Sequence, residues 1–120
     1  MNIPEEAILL RIFIGETEQF HGRPLYEALV LKARERELAG ATVLRGSLSY
    51  GASSHIHTTK ILRLSYDLPI VVEIVDSEEK INAFLPLIDE MVGSGLVTLE
   101  RARVLHYRHK TAAAGNPGVS

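Results

Sequence analysis

Two short stretches of the 120-residue chain, residues 7–14 and 68–75, are apolar on both sides of an extended backbone. Both are rich in β-branched residues, and this pattern predicts two β-strands. Arg11 is the charged exception in the first stretch. A sheet with one face in water alternates apolar and polar residues along its strands, which these stretches do not do. We therefore expect both faces of the sheet to be covered.

Two helical patterns separate the predicted strands. Pro24 suits the first position of a helix, and residues 25–39 continue as a moderately amphipathic helix. Asp76 and Glu79 have the spacing of a capping box, which predicts the start of a second helix. Pro86 lies within this second pattern and predicts a bend. The apolar residues of the second pattern recur at helical spacing on one face: Ile81, Phe84, Leu85, Ile88, Met91 and Val92.

The remaining apolar segments complete the fold. Residues 41–48 read as a second strand, and residues 96–99 and 104–107 read as a last strand with an irregularity around Arg101. The order strand, helix, strand, strand, helix, strand predicts an α+β, ferredoxin-like βαββαβ fold, an antiparallel sheet with two helices on one face. No segment is left to cover the other face, so we expect the chain to associate with copies of itself.

Composition excludes several classes of function. The chain has no cysteine, which excludes disulfides, thiolate–metal sites and cysteine nucleophiles. A formal net charge of −2 gives no overall basic surface for nucleic acid. No apolar run reaches the ~20 residues that span a bilayer, and the N-terminus does not resemble a signal peptide. We expect one domain over residues 1–110, a disordered tail over residues 111–120, and a cytoplasmic protein without membrane insertion.

Residues 46–60 interrupt the apolar chain with glycines, hydroxyl groups, two histidines and a cation. Gly51 allows the backbone to approach a ligand closely. The hydroxyl groups of Ser53 and Ser54 can donate and accept hydrogen bonds, and Lys60 adds a positive charge. Such a loop suits an anion such as phosphate. The alternative is a plain polar connection between two strands, because the segment matches no Walker-type spacing.

The same segment contains residue types that other functions use. His55 and His57 share one face if the backbone is extended there, and with a third ligand they could bind zinc. A trimeric metal-binding protein is therefore the alternative function. Ser53, Ser54, His55 and Asp67 supply the residue types of a hydrolytic triad, so a hydrolase is a further, weaker alternative. The chain has no Gly-x-Ser-x-Gly elbow, however, so we expect no enzymatic activity and no catalytic residue.

Five stretches span nearly the whole chain: residues 24–28 (PLYEA), 38–43 (LAGATV), 51–58 (GASSHIHT), 68–76 (LPIVVEIVD) and 95–100 (GLVTLE). Together they resemble the PII signal-transduction superfamily, and more closely a PII-like family labelled domain of unknown function 190. The resemblance implies a ferredoxin-like subunit, a homotrimer and a ligand pocket in each cleft between neighbouring subunits. PII proteins bind adenine nucleotides there and signal to transporters, enzymes or regulators through the loop after strand two.

The resemblance also implies roles for individual residues. Gly51 resembles the glycine at the end of the second PII strand, whose backbone lies near the phosphates. The Gly93-Ser94-Gly95 turn resembles the PII turn after helix two, but it is shorter and lacks the usual phosphate-binding lysine. His106 and Arg108 correspond to two PII arginines, so a titratable group replaces one cation. These departures concern the specificity for ATP and leave the fold unchanged.

The expected pocket holds a small anionic effector, an adenine nucleotide in the first instance, and the chain needs no other cofactor. It lies between residues 51–57 of one subunit and residues 93–95 with Arg108 of the same or the next subunit. The expected target is another protein, such as a membrane transporter or channel. The expected ligand-binding residues are Gly51, Ser53, Ser54, His55, His57, Lys60, Gly93, Ser94, Gly95, His106 and Arg108.

Overall fold

A computed structural model describes residues 3–46 and 68–108 of the chain. The elements are β1 (Glu6–Gly15), β2 (Gln19–Phe20), β3 (Arg23–Pro24), α1 (Leu25–Glu35), β4 (Thr42–Arg45), β5 (Pro69–Asp76), α2 (Glu78–Met91) and β6 (Leu96–Arg103). Four of the strands form one antiparallel sheet in the order β4-β5-β1-β6, and β2 pairs with β3 in a small hairpin. This topology confirms the α+β, ferredoxin-like arrangement. The tail predicted over residues 111–120 lies outside the described residues.

Both helices pack on one face of the four-stranded sheet. Alternate residues of β1 and β5 point into this layer, because side chains along a strand have a period of two. Full burial of a large aliphatic side chain contributes roughly 1.5–3 kcal/mol relative to exposure, so this layer is the main source of stability. The sheet supplies Ile8, Leu10, Ile12, Ile14, Ile70, Val72 and Ile74, and the helices supply Leu25, Ala28, Leu29, Ala33, Ile81, Phe84, Ile88 and Met91.

The sheet face turned away from the helices, called the open face below, carries a row of four apolar side chains. The antiparallel register places Val71 opposite Phe13, Leu44 opposite Val71, and Leu96 opposite Phe13. Phe13 and Val71 are half-buried. Leu44 and Leu96, on the two edge strands, are 47% and 56% exposed. The open face therefore presents a continuous apolar row that crosses the whole sheet.

An ionic network lies beside this row. Arg11 Nε donates to Glu73 Oε2 at 2.9 Å, and Arg11 Nη1 donates to Glu100 Oε2 at 3.2 Å. The hydrogen bond to Glu73 raises the pKa of Arg11. Desolvation lowers this pKa in part, and the negative charge of Glu100 raises it further. The network explains how β1 holds a cation in the middle of an otherwise apolar stretch.

Two predicted helix boundaries are wrong. α1 ends at Glu35 and not at residue 39, because Glu37 has a φ of 62° and leaves the helical region. Asp76 is the last residue of β5, and the N-cap of α2 is Ser77, whose hydroxyl oxygen accepts from the Lys80 N–H at 3.2 Å. The helix continues through its internal proline as predicted.

The last strand also differs from its prediction. β6 continues without interruption through Arg101 to Arg103, and residues 104–107 are not a strand. The register pairs every residue of β6 with a residue of β1, from Leu96 opposite Phe13 to Arg103 opposite Glu6. Backbone pairing with a central strand therefore extends β6 through its charged residues, despite their weak strand propensity.

Residues 16–23 read in the sequence as a polar connection between the first strand and the first helix, but the structure forms the β2–β3 hairpin there. His21 and Gly22 have φ values of 52° and 83°, so both central residues have the positive φ that a type I′ turn requires. Histidine is one of the few residues enriched in this region of backbone space. The imidazole of His21 stacks on the ring of Phe20 with a centroid distance of 4.0 Å.

Candidate functional site

The two ends of the segment that connects β4 to β5 are tied together. The Gly46 N–H donates to the Pro69 carbonyl at 2.8 Å, and the Glu16 N–H donates to the Leu68 carbonyl at 2.8 Å. Arg45 Nη2 also donates to Glu16 Oε2 at 2.6 Å. A Cβ at Gly46 would lie 2.8 Å from Cγ of the rigid Pro69 ring, so this close approach requires glycine. We call these five residues the loop stem.

The loop stem shows where the predicted binding loop leaves the sheet. Gly46 directly follows β4, and Leu68 directly precedes β5. The intervening residues of the predicted site lie outside the described part of the chain. They are Gly51, Ser53, Ser54, His55, His57 and Lys60.

The turn after α2, residues 93–95, lies at the same end of the sheet as the loop stem. Leu96 pairs with Phe13, and β1 ends two residues later at Gly15, which pairs with Pro69. Gly95 has a φ of 154°, and a Cβ there would lie 2.5 Å from the Phe13 carbonyl oxygen. The turn is exposed along its whole length. The fold thus brings Gly93, Ser94 and Gly95 to the end of the sheet from which the predicted loop departs.

The other described members of the predicted site lie at the opposite end of the sheet. β6 runs for eight residues from Leu96 to Arg103, and at a rise of about 3.3 Å per residue its ends are about 23 Å apart. His106 and Arg108 follow the far end and are exposed. Within one subunit they do not meet residues 93–95.

Two contacts hold the segment after β6 at this far end. The Val104 N–H donates to the Glu5 carbonyl at 2.8 Å, and the Tyr107 hydroxyl donates to the Ala39 carbonyl at 3.1 Å. Tyr107 lies between His106 and Arg108 in the chain, so its hydrogen bond positions both neighbours. The cationic half of the predicted site is therefore anchored beside the connection between α1 and β4.

That connection is itself held by a buried carboxylate. Asp76 is 1% exposed, and its Oδ2 accepts from the Ala39 N–H at 2.9 Å. Its Oδ1 accepts from the Ser77 N–H at 2.7 Å. Hydrogen bonds to an ionised carboxylate are among the stronger hydrogen bonds in proteins. Ala39 is consequently fixed through both of its backbone groups, by Asp76 on one side and Tyr107 on the other.

The structural roles of Asp76 and Tyr107 were not predicted from the sequence. A signal for Asp76 was present, because the period of two places it on the same strand face as Ile70, Val72 and Ile74. A carboxylate at the end of a buried strand face needs hydrogen-bond partners, which the adjoining loop and helix provide. For Tyr107 no local pattern exists, since its partner lies 68 positions away in the chain.

The described residues offer no assembled metal site. Among residues 3–46 and 68–108, no group of three or more histidine, aspartate or glutamate side chains could hold a metal ion. The proposed metal ligands His55 and His57 lie outside these ranges, so the metal-binding alternative stays a prediction. Neither described helix combines the length and apolar character that a membrane span requires.

The sequence of the chain matches one protein family along most of its length. A model of the DUF190 family, described as "Uncharacterized ACR, COG1993", matches residues 7–104. A UPF0166 protein of Aquifex aeolicus is 47% identical over 100 residues, covering 82% of this chain and 92% of that protein. A UPF0166 protein of Methanocaldococcus jannaschii is 33% identical with the same coverage. A second Aquifex aeolicus UPF0166 protein is 33% identical over 99 residues, 82% of this chain and 97% of its own.

Proposed function

The chain belongs to the DUF190 family, and from this premise we propose that it is a non-enzymatic, PII-like signalling protein. It forms a homotrimer in the cytoplasm and binds a small anionic effector, an adenine nucleotide, in the clefts between subunits. It reports effector binding to a target protein, such as a membrane transporter or channel, through the segment between β4 and β5.

The observation that carries this proposal is the separation of the two halves of the site. The loop stem and residues 93–95 lie at one end of the sheet, and Arg108 follows the other end of β6, a strand whose two ends are about 23 Å apart. A neighbouring subunit can supply its own Arg108 to the loop stem. Cyclic symmetry would then repeat the same contact in every cleft, which a single subunit cannot form.

The open face supports the association of subunits. Its row of Leu44, Val71, Phe13 and Leu96 has no covering layer in the described chain. Because burial of apolar surface is favourable, contact between copies of this face stabilises an oligomer. The ion pairs of Arg11 lie beside the row and already satisfy its charge, so they add no unpaired cation to the interface.

Each part of the proposed cleft suits an anion. Exposed glycine-containing turns offer backbone N–H groups that can lie close to phosphate oxygens. Arg108 is exposed and offers a planar fork of donors that matches phosphate geometry. The hydrogen bond of Tyr107 restricts the motion of this segment before any ligand binds. Less conformational entropy is then lost on binding.

Isothermal calorimetry with ATP, ADP, AMP and a cyclic nucleotide tests the proposal. We expect at least one to bind, and we expect Arg108→Ala to weaken it by about 1.5–3 kcal/mol, the scale of a hydrogen bond to a charged group. Arg34→Ala removes an exposed cation from α1 and should leave binding unchanged. If no nucleotide binds at millimolar concentration, the adenine nucleotide is the wrong effector. Equal binding by the Arg108→Ala protein would place the pocket elsewhere.

A subunit-mixing experiment tests whether the cleft is shared. The Lys60→Ala and Arg108→Ala proteins would be denatured together, refolded as mixed trimers and titrated with the nucleotide. If the two side chains come from different subunits, about one quarter of the clefts in a random equal mixture regain both of them. If both come from one subunit, every cleft keeps one defect and no tight sites return.

A further inference from the structure

A cavity of about 240 Å³ opens between the β2–β3 hairpin, α1 and the end of α2. Each of the three elements contributes an apolar side chain to its wall: Phe20, Leu31 and Met91. Leu31 is 41% exposed and Met91 is 6% exposed, so the apolar wall extends from the core to the surface. At about 30 Å³ per water molecule the volume equals about eight waters, the size of a single-ring organic molecule.

The rim of this cavity carries the positive charge of Arg23, which has no ion-pair partner among the described residues. Arg23, Lys32 and Glu35 all line it. Lys32 Nζ lies 3.1 Å from Glu35 Oε1, so these two charges compensate each other. The guanidinium of Arg23 is exposed and forms no ion pair or side-chain hydrogen bond with any other residue in the described ranges. Arg23 is therefore available to an anion that enters the cavity.

The hairpin fixes the backbone position from which the Arg23 side chain extends. The backbone of Arg23 pairs with Phe20 across the two-residue turn, and the His21 ring stacks on the Phe20 ring. The base of the hairpin is closed by the Leu25 N–H, which donates to the Glu18 carbonyl at 2.8 Å. Backbone hydrogen bonds consequently fix the part of the hairpin that carries Phe20 and Arg23.

We infer that this cavity binds a small planar carboxylate. The apolar ring packs against Phe20, Leu31 and Met91, where the methionine sulfur gives a favourable contact with an aromatic ring. The carboxylate accepts from Arg23, whose two parallel donors match it in geometry and charge. An apolar wall with one or two polar groups that fix orientation is the usual composition of a small-molecule site. The inference does not depend on the proposed nucleotide cleft.

The apolar wall distinguishes a carboxylate with a ring from a simple inorganic anion. A phosphate ion would reach Arg23 but would leave Leu31 and Met91 in contact with water. A neutral molecule of the same shape would cover these side chains but would not use the charge of Arg23. Benzoate combines both features and is the matching probe, with benzamide as its neutral counterpart and inorganic phosphate as the anion without a ring.

Methionine-methyl NMR of the intact protein tests the site directly, because the chain has only two methionines, Met1 and Met91. Benzoate titrated to millimolar concentration should shift the Met91 methyl signal saturably and leave that of Met1 unchanged. Benzamide should bind about fivefold more weakly, the upper scale of an exposed ion pair. Phosphate should not shift Met91. Absence of a saturable Met91 shift with benzoate, or an equal response to either other probe, would overturn the inference.

A matched pair of variants isolates the charge. Arg23→Gln keeps most of the side-chain length and should weaken benzoate about fivefold while leaving benzamide unchanged. Arg34→Gln removes an exposed cation from α1, outside the cavity wall, and should change neither affinity. Equal weakening by the two variants would mean that benzoate responds to overall charge, and the site assignment would be wrong. Both variants can be checked for folding by the wild-type Met91 chemical shift.

Discussion

Replacing Leu96 with alanine tests whether the open face is the surface that the proposed trimer buries. Leu96 is 56% exposed and ends the apolar row, so the change removes little packing within the subunit. Full burial of a leucine contributes roughly 1.5–3 kcal/mol relative to exposure, and covering the exposed half contributes about 1 kcal/mol. Alanine retains a small part of this gain. Each subunit of the variant trimer should therefore lose about 1 kcal/mol of association free energy.

The loss is multiplied by the symmetry of the assembly. Three equivalent positions lose about 3 kcal/mol together, which raises the trimer dissociation constant by about 150-fold. The midpoint concentration of a monomer–trimer equilibrium varies as the square root of that constant. Half-dissociation should therefore occur at a protein concentration about twelvefold higher than in the wild type.

Sedimentation or light scattering across a dilution series measures this midpoint. Leu31→Ala is the matched control, because Leu31 is a similarly exposed leucine, 41% exposed, on the helix layer and not on the open face. It should leave the midpoint unchanged. A wild-type monomer at micromolar concentration with an intact fold would refute the trimer. Equal midpoints for the two variants would refute the open face as its interface.

Two further predictions concern stability, measured by urea unfolding at fixed protein concentration. Asp76→Ala leaves two backbone N–H groups without their charged acceptor and should lower the free energy of unfolding by about 3 kcal/mol. Asp89→Ala, on the exposed side of α2, should change it little. Equal losses in the two variants would contradict a structural role for the buried carboxylate. Gly95→Ala places a Cβ 2.5 Å from the Phe13 carbonyl oxygen and should lower the free energy of unfolding by more than about 1 kcal/mol. A Cβ at Gly93 has nothing within 4 Å, so Gly93→Ala should leave the free energy of unfolding nearly unchanged. A stable Gly95→Ala protein would contradict the described turn.

The sheet and its two helices were predictable because they depend on local patterns. The apolar residues of β1 and β5 are dense enough to indicate strands, and those of α2 recur at helical spacing. The small hairpin was missed because the His21-Gly22 turn is less familiar than Asn-Gly or Asp-Gly. The error at the end of α1 has a similar origin, since Glu37 adopts a positive φ that its residue type does not suggest.

The candidate site was less predictable, because it depends on distances between segments. The sequence suggested that residues 93–95 and Arg108 belong to one pocket, but only the sheet register shows that β6 separates them. The apolar pattern of β1 and β5 predicts association between copies of the chain, but no local pattern specifies which residues of two copies would meet. The period of two along β5 indicates that Asp76 lies on the buried face of that strand. Its interpretation as the helix N-cap, a position that Ser77 occupies, led away from this role.

The closed loop stem has a consequence for how this chain can vary. Backbone hydrogen bonds join Gly46 to Pro69 and Leu68 to Glu16, so the two ends of the connection are held at the edge of the described sheet. The entropy of closing a loop rises slowly with length, by about 0.6 kcal/mol for each doubling. Insertions, deletions or whole replacement segments between positions 46 and 68 should therefore cost the domain little. The stem should therefore accept a segment of different length or sequence while the scaffold stays unchanged.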